Sequence, residues 1–277
     1  MLRIDHMTAA DVALALDWAA REGWNPGLQD AVCFHAADPQ GFFVAREAGR
    51  VVGFISAVAY DAAFGFIGLY IVAPDCRGRL VGIRLAQRAL AYLGQRIIGV
   101  DGVLQKTKNY VAHGFCLQCK NIRHAGVLPH AAGSANVVAV REVAWDALLA
   151  YDRRHFPAPR AQFLQHWLDA PGHHGYAYLQ ADVVRGYGVV RPCRTGYKLG
   201  PLFADSMAVA DALAGVLGVH TQGAMVYFDT PDTNPAAVAL ARQYGMQEVF
   251  ATARMYRGGL PDLPDNEIFG ITSFELG

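Results

Sequence analysis

Pro74-Asp75-Cys76-Arg77-Gly78-Arg79-Leu80-Val81-Gly82 stands between the apolar run Leu69-Tyr70-Ile71-Val72-Ala73 and a segment whose Leu80, Ile83, Leu85, Leu90 and Leu93 recur at helical spacing. A strand is therefore predicted to enter this stretch and a long helix to leave it. At such a turn the first helical amides have no carbonyl partner and point at one spot, an arrangement that attracts a pyrophosphate. Gly78 lets the backbone bend, and Gly82 keeps the first helical turn open to an anion. Arg77 and Arg79 add positive charge. A helix cap flanked by two surface arginines would use the same residues.

Upstream, Thr8-Ala9-Ala10-Asp11 predicts the cap of an amphipathic helix running to about Arg21, and Gly23-Trp24-Asn25-Pro26-Gly27 breaks it. A short helix is expected over 28–37. Strands at 41–46 and 51–60 flank Glu47-Ala48-Gly49-Arg50 as a hairpin, with a third strand over 64–72. Downstream come a strand at 97–103, a helix at 106–112, and Gly114-Phe115 turning into another strand. Residues 131–136 are small and polar and read as a linker.

Beyond that linker the order recurs. Helices are predicted at 145–154 and 163–168, strands at 176–179 and 185–190, a strand ending at Pro201, a helix at 206–217, a strand at 224–228 and a helix at 235–244 before Gly245. Pro74 to Gly114 spans 40 residues and Pro201 to Gly245 spans 44. The expected fold class is α+β, in two tandem domains (1–130 and 138–277, joined by 131–137). Each is a twisted mixed sheet flanked by helices, rather than part of one continuous sheet.

Composition narrows the function classes. Lys plus Arg and Asp plus Glu both number 24, so no net field favours nucleic acid or an anionic membrane, and neither is expected as a partner. Asp5 precedes any long apolar run, which argues against a secretory signal, and the charge-free stretch 62–74 is too short to span a bilayer. Five cysteines, an odd number, fit a reducing, cytoplasmic location. Cys116 and Cys119, near His113 and His124, would lie three apart on a strand and face opposite ways, so no metal site is expected. His173-His174 follows Pro171-Gly172 and reads as a surface loop. Neither a serine nucleophile elbow nor a nucleotide P-loop is present.

The stretch 77–82 resembles the acetyl-CoA loop of the GCN5-related N-acetyltransferase (GNAT) superfamily, Arg or Gln, two residues, Gly, one residue, then Gly or Ala. Leu80 occupies the position where the middle Gly is usual. The resemblance implies that Arg77, Gly78, Arg79, Leu80, Val81 and Gly82 hold the pyrophosphate of acetyl-CoA. The run 69–74 resembles the family's fourth strand, so the main chain of Ile71 and Val72 would bind the pantetheine arm. Tyr110, four residues before Gly114-Phe115, falls where the family commonly places a tyrosine beside the coenzyme A sulfur, able to protonate the departing thiolate; it also reads as a partly buried helix aromatic.

In the second half Asn234, Ala237 and Gly245 match the same helix signature, but Ala241 stands in the tyrosine's place. The loop Gly200 to Ser206 has no Arg-x-x-Gly pattern and carries Asp205, which would repel pyrophosphate. Gly196-Tyr-Lys-Leu-Gly-Pro-Leu-Phe-Ala-Asp205, Ala253-Arg-Met-Tyr256 and the ending 269–277 resemble the diverged module appended to some bacterial members. The function implied is direct transfer of an acetyl group to an amine of a small molecule, amino acid or peptide. A non-catalytic acyl-CoA or metabolite sensor is the alternative, favoured by Leu80 and the altered second loop. A homodimer would fit the family's habits.

The attacking amine must lose a proton. Glu22, bordering the 23–27 loop, is the first candidate base, though a helix-end glutamate is also commonly solvated or salt-bridged. Trp24 is a candidate wall of the acceptor site. Asp101 could bind the acceptor ammonium or pair with a core arginine, and Asp229 could reach the acceptor cleft from the second half.

Overall fold

The computed structural model describes residues 1–131 and 135–277; the predicted linker falls partly on 132–134, outside the described residues. The amino-terminal half runs β1 (Leu2–His6), α1 (Ala9–Arg21), α2 (Asp30–Ala37), β2 (Phe42–Glu47), β3 (Arg50–Ala59), β4 (Phe64–Val72), α3 (Val81–Leu93), β5 (Ile97–Val103), α4 (Thr107–Ala112) and β6 (Cys116–Gly126). The carboxyl-terminal half runs β7 (Val137–Ala139), α5 (Trp145–His155), α6 (Ala161–Asp169), β8 (His174–Gln180), β9 (Val183–Pro192), β10 (Tyr197–Ala204), α7 (Met207–Val219), β11 (Val226–Pro231), α8 (Pro235–Gln243), β12 (Gln247–Arg257) and β13 (Ile268–Gly270).

Local chemistry sets the early elements as read. Thr8 and Asp11 form a reciprocal capping box at the start of α1. Ala48 and Gly49 turn the β2–β3 hairpin with φ of 50° and 81°, both in the left-handed region that a two-residue hairpin loop of this hand requires.

The two halves do not keep separate sheets. One sheet runs β1-β2-β3-β4-β5-β12-β6-β11-β10-β9-β8-β7 without a break, which corrects the expectation of two independent sheets. The cause is a reciprocal exchange: β12, from the second half, pairs antiparallel with β5, while β6, from the first half, pairs antiparallel with β11. The exchanged strands also pair with each other.

Each crossing is pinned by the same charge pair at the same kind of place. Asp101 of β5 lies opposite Arg254 of β12, and the two carboxylate oxygens accept from the guanidinium at 3.0 and 2.6 Å. Asp229 of β11 lies opposite Arg123 of β6, with both contacts at 2.7 Å. Bidentate geometry is what allows such charges to be buried.

Both halves contain a pair of parallel strands that separate. β4 and β5 are paired only from Phe64 to Ile67 on the β4 side, and β10 and β11 only from Tyr197 to Leu199. Beyond those points each first strand bulges: the register against β3 shifts between Phe54 and Ser56, where Leu69 adopts φ 45°, and β10 shifts against β9 between Leu199 and Leu202. Pro201 sits in that second bulge, so β10 continues through it to Ala204 instead of ending there as read from the sequence.

Helix α3 covers one face of the first half through Val81, Leu85, Ala89 and Leu93, and α7 and α8 cover the second half through Leu213, Leu217 and Leu240. A third cluster, joining Val12, Leu16 and Phe34 to Trp167, Tyr187 and Phe203, welds the halves on the opposite face. His173 belongs to that core: it is 8% exposed, packs edge-on against Trp167, and burial pushes its pKa down to about 4. The surface-loop reading of His173 is thereby corrected.

Candidate active site

A cavity of about 830 Å³ opens where β4 and β5 part, walled by both halves. Tyr70, Gly82, Tyr110 and Trp24 line it from the first half, and Phe250, Thr252, Phe274 and Glu275 from the second. The exchange of β12 brings Phe250 and Thr252 there. Phe274 and Glu275 arrive with the carboxyl-terminal tail, which lies so close to β4 that a Cβ on Gly68 would stand 2.0 Å from the Glu275 carbonyl oxygen.

At the mouth, Gly78 takes φ 79°, open to glycine without strain, and α3 begins at Val81. Leu80, the N-cap, makes no side-chain hydrogen bond to the helix, so the first-turn amides are not occupied by a cap. Its side chain is 67% exposed and lines no part of the cavity, whereas Val81 is buried in the core beneath the helix. Both residues therefore present only main chain to a ligand at this turn. A Cβ on Gly82 would meet the Tyr70 hydroxyl at 2.8 Å, so glycine here leaves the passage clear without displacing that side chain.

The arginines are held rather than free. Arg77 contacts the Glu22 carboxylate and donates through Nε to the Val72 carbonyl at 3.1 Å. Arg79 donates to both Glu47 oxygens at 2.8 and 2.9 Å. Both side chains are half-exposed, and such exchangeable surface pairs are weak enough to yield to a phosphate.

Tyr110 packs over Gly102, where a Cβ would meet its ring at 2.4 Å, and edge-on against Phe115. Burial first, then the neighbouring Tyr70 and Asp101, push its pKa up to about 12, so the phenol keeps its proton across the neutral range. Asp101 accepts from Arg254, and from Asn121 at 2.8 Å, at the cavity's inner wall. Trp24 presents its carbonyl to Arg123 at 2.9 Å and to Lys198 at 3.3 Å.

Glu22, Trp24, Ile71, Val72, Arg77, Gly78, Arg79, Gly82, Asp101 and Tyr110, named from the sequence, thus converge on one cavity. Asp229 is not among its lining residues: it is buried against Arg123, and although burial would raise its pKa, the charge and hydrogen bonds of Arg123, with Lys198 and Arg191, take it below the usual carboxylate value. Sequence reading missed Glu275, Phe274, Phe250 and the buried Lys198. A lone acid within the apolar ending Phe274-Glu275-Leu276 was the available signal for the first of these.

A splayed parallel strand pair, a bulged fourth strand and a glycine-bearing helix start define the acyl-CoA cleft of an acyltransferase, and the residues present fit that ligand. The Acetyltransferase (GNAT) family matches residues 10–119 and the Acetyltransferase (GNAT) domain matches residues 148–270. The chain is 32% identical to the holothin acyltransferase of Pseudoalteromonas sp. (strain SANK 73390) over 266 residues, covering 94% of this chain and 90% of that protein. It belongs to the GNAT acyltransferases and carries two such domains in tandem.

Among solved structures, one from Pyrococcus horikoshii assigned as an acetyltransferase superposes with a TM-score of 0.84 at 21% identity, covering all of this chain and 96% of that one. A tandem GNAT protein from the clavulanic acid biosynthesis pathway superposes with a TM-score of 0.64 at 16% identity, over 95% of this chain and 100% of that one. No helix among the described residues is long and apolar enough to cross a membrane, and no cluster of metal-ligating side chains is found among them.

Proposed function

We propose that this chain transfers an acetyl group from acetyl-CoA to the amine of a small, cytoplasmic acceptor by direct attack. The observation that carries this reading is the continuity of the cleft. The glycine-bearing start of α3, the bulged edge of β4 and the protonated Tyr110 line a single cavity with residues of the second half, which leaves room there for an acceptor. Amides of the α3 first turn, with Arg77 and Arg79, would hold the pyrophosphate. The main chain of Ile71 and Val72 would hold the pantetheine arm, and the β4 bulge would leave an amide to stabilise the tetrahedral oxyanion. Tyr110, keeping its proton at neutral pH, would donate a hydrogen bond to the departing sulfur.

The acceptor pocket is walled by Trp24, Phe250 and Phe274, which suits an amine carried on an apolar or aromatic body better than a polyamine. The relative's name makes holothin the first acceptor to try. Calorimetric titration with acetyl-CoA is expected to give micromolar binding at one site per chain. Coenzyme A thiol release is then expected with at least one amine of a panel containing holothin, tryptamine and benzylamine. Binding without release for any amine would move the weight to a sensor of acyl-CoA, and no binding would sink the reading.

A further inference from the structure

Three acidic residues line the cavity, and the carboxylates of two of them are already committed. Glu22 holds the Arg77 guanidinium, and Asp101 accepts from Arg254, Asn121 and Thr252. Glu275 is different. It is 2% exposed, and neither carboxylate oxygen has a hydrogen-bond partner. A buried carboxylate without partners is costly, and such groups persist where a ligand completes them.

Its position says which ligand. The Glu275 backbone lies against Gly68, next to the Leu69 bulge where the thioester carbonyl belongs in the reading above. Trp24, Phe250 and Phe274 line the same cavity and offer an apolar seat for the body of the acceptor. Arg123 and Lys198 are the buried cations whose charges interact with Glu275; Arg123 is satisfied by Asp229, and Lys198 donates to the Trp24 carbonyl. Around the rest of the wall, Arg77, Arg79, Lys106, His113, Cys76, Tyr70 and Tyr110 are the other ionisable groups.

We infer that Glu275 is the catalytic base of this enzyme: its carboxylate receives the acceptor ammonium and takes its proton. This rests on the transferase reading above. One N–H proton passes from the ammonium to Glu275, and the freed nitrogen lone pair forms the bond to the thioester carbonyl carbon. The C–S bond breaks and the sulfur takes a proton from Tyr110, which recovers one from solvent, while the amine's second proton passes to solvent as the amide forms. Glu275 then releases its proton to solvent, so that one proton is released per turnover. Glu22 stays with Arg77 at the mouth of the cleft.

The test compares Glu275→Gln with the parental chain, using acetyl-CoA with tryptamine, benzylamine and holothin. The expected result is acetyl-CoA affinity within about threefold of parental, kcat/KM lower by about 100-fold or more, and loss of the acid limb of the pH–rate profile. Glu22→Gln is expected to keep that limb. If Glu275→Gln does not fold, Glu275→Asp, which retracts the charge by one methylene, must lower kcat about tenfold with acetyl-CoA binding intact. Parental rates in either variant, or an unchanged acid limb in Glu275→Gln, would overturn the assignment alone. A parental chain that releases no coenzyme A with any of these amines removes the transferase reading and the assignment together.

Discussion

In the first half β4 and β5 part after Ile67 and the gap opens onto the cavity; in the second half β10 and β11 part after Leu199 and the gap is filled by the chain itself. There β13 pairs antiparallel with β10 through Leu202 and Phe203, the position a pantetheine arm would need. The helix starts differ in the same sense. Leu80 leaves the amides of α3 uncapped, whereas the Ser206 hydroxyl accepts from the Val209 amide at the start of α7. Asp205, the acid read as repelling pyrophosphate, is tied to the Tyr151 hydroxyl at 2.7 Å. One wedge thus remains suited to a ligand while its counterpart has become a packing joint, and the tail that closes the second goes on to furnish a wall of the first.

The largest effect should come from the joint that makes the comparison possible, the exchanged strands. Asp229→Asn leaves the Arg123 guanidinium buried beside a neutral amide and is expected to cost about 3–5 kcal/mol of unfolding free energy, read from urea melts. The Asp229 pKa is lowered in the fold, so its contribution is present above the unfolded value of about 4 and is lost as pH falls through the folded one. Below about pH 4 the gap between parental and Asp229→Asn stability should therefore narrow. A change under about 1 kcal/mol at pH 7 would mean that the strand exchange does not depend on this pair.

The ligand contrast is sharpened by placing one charge at the second residue of each helix. Gly82→Glu brings a carboxylate into the phosphate turn and is expected to weaken acetyl-CoA binding about 100-fold or more. Ala208→Glu, exposed at the same place on α7, should leave binding unchanged and the fold no less stable, since an acid suits a helix start. Equal loss in both variants, by calorimetry, would break the distinction between the two clefts.

What the sequence disclosed follows from how local each feature is. The helix start at 77–82 and Tyr110 are read from contiguous residues, and the structure brings them into one cavity because a single strand-helix-strand unit positions them. The exchange of β6 and β12 was not legible, because β5 meets β12 about 150 residues away and nothing in either strand's alternation names its neighbour. Pro201 misled for a local reason: a proline normally excludes a central strand, but a bulge needs no ladder hydrogen bond at that point. Glu275 was hidden because its setting is made wholly by long-range packing of the tail.

The smallest effects separate the two ends of that tail. Gly68 and Gly200 both precede a bulge, and both carry the tail at a distance that excludes a side chain: an added Cβ meets the Glu275 carbonyl oxygen at 2.0 Å in one case and that of Ile271 at 2.3 Å in the other. Gly68→Ala and Gly200→Ala should each cost about 1–3 kcal/mol, because the obstacle is backbone and must move. They should differ in catalysis. Displacement at Ile271 is contained by anchors that follow it, Arg160 on the Thr272 hydroxyl at 2.9 Å, the Ser273–Gly277 backbone pair at 3.1 and 3.3 Å, and Tyr60 on the Leu276 carbonyl at 2.9 Å. Displacement at Glu275 falls inside those anchors and moves the carboxylate itself. Gly68→Ala is therefore expected to lower kcat about tenfold, and Gly200→Ala to leave it within about twofold, at matched stability. Equal rates in the two variants would place the tail in the fold alone and take it out of the chemistry.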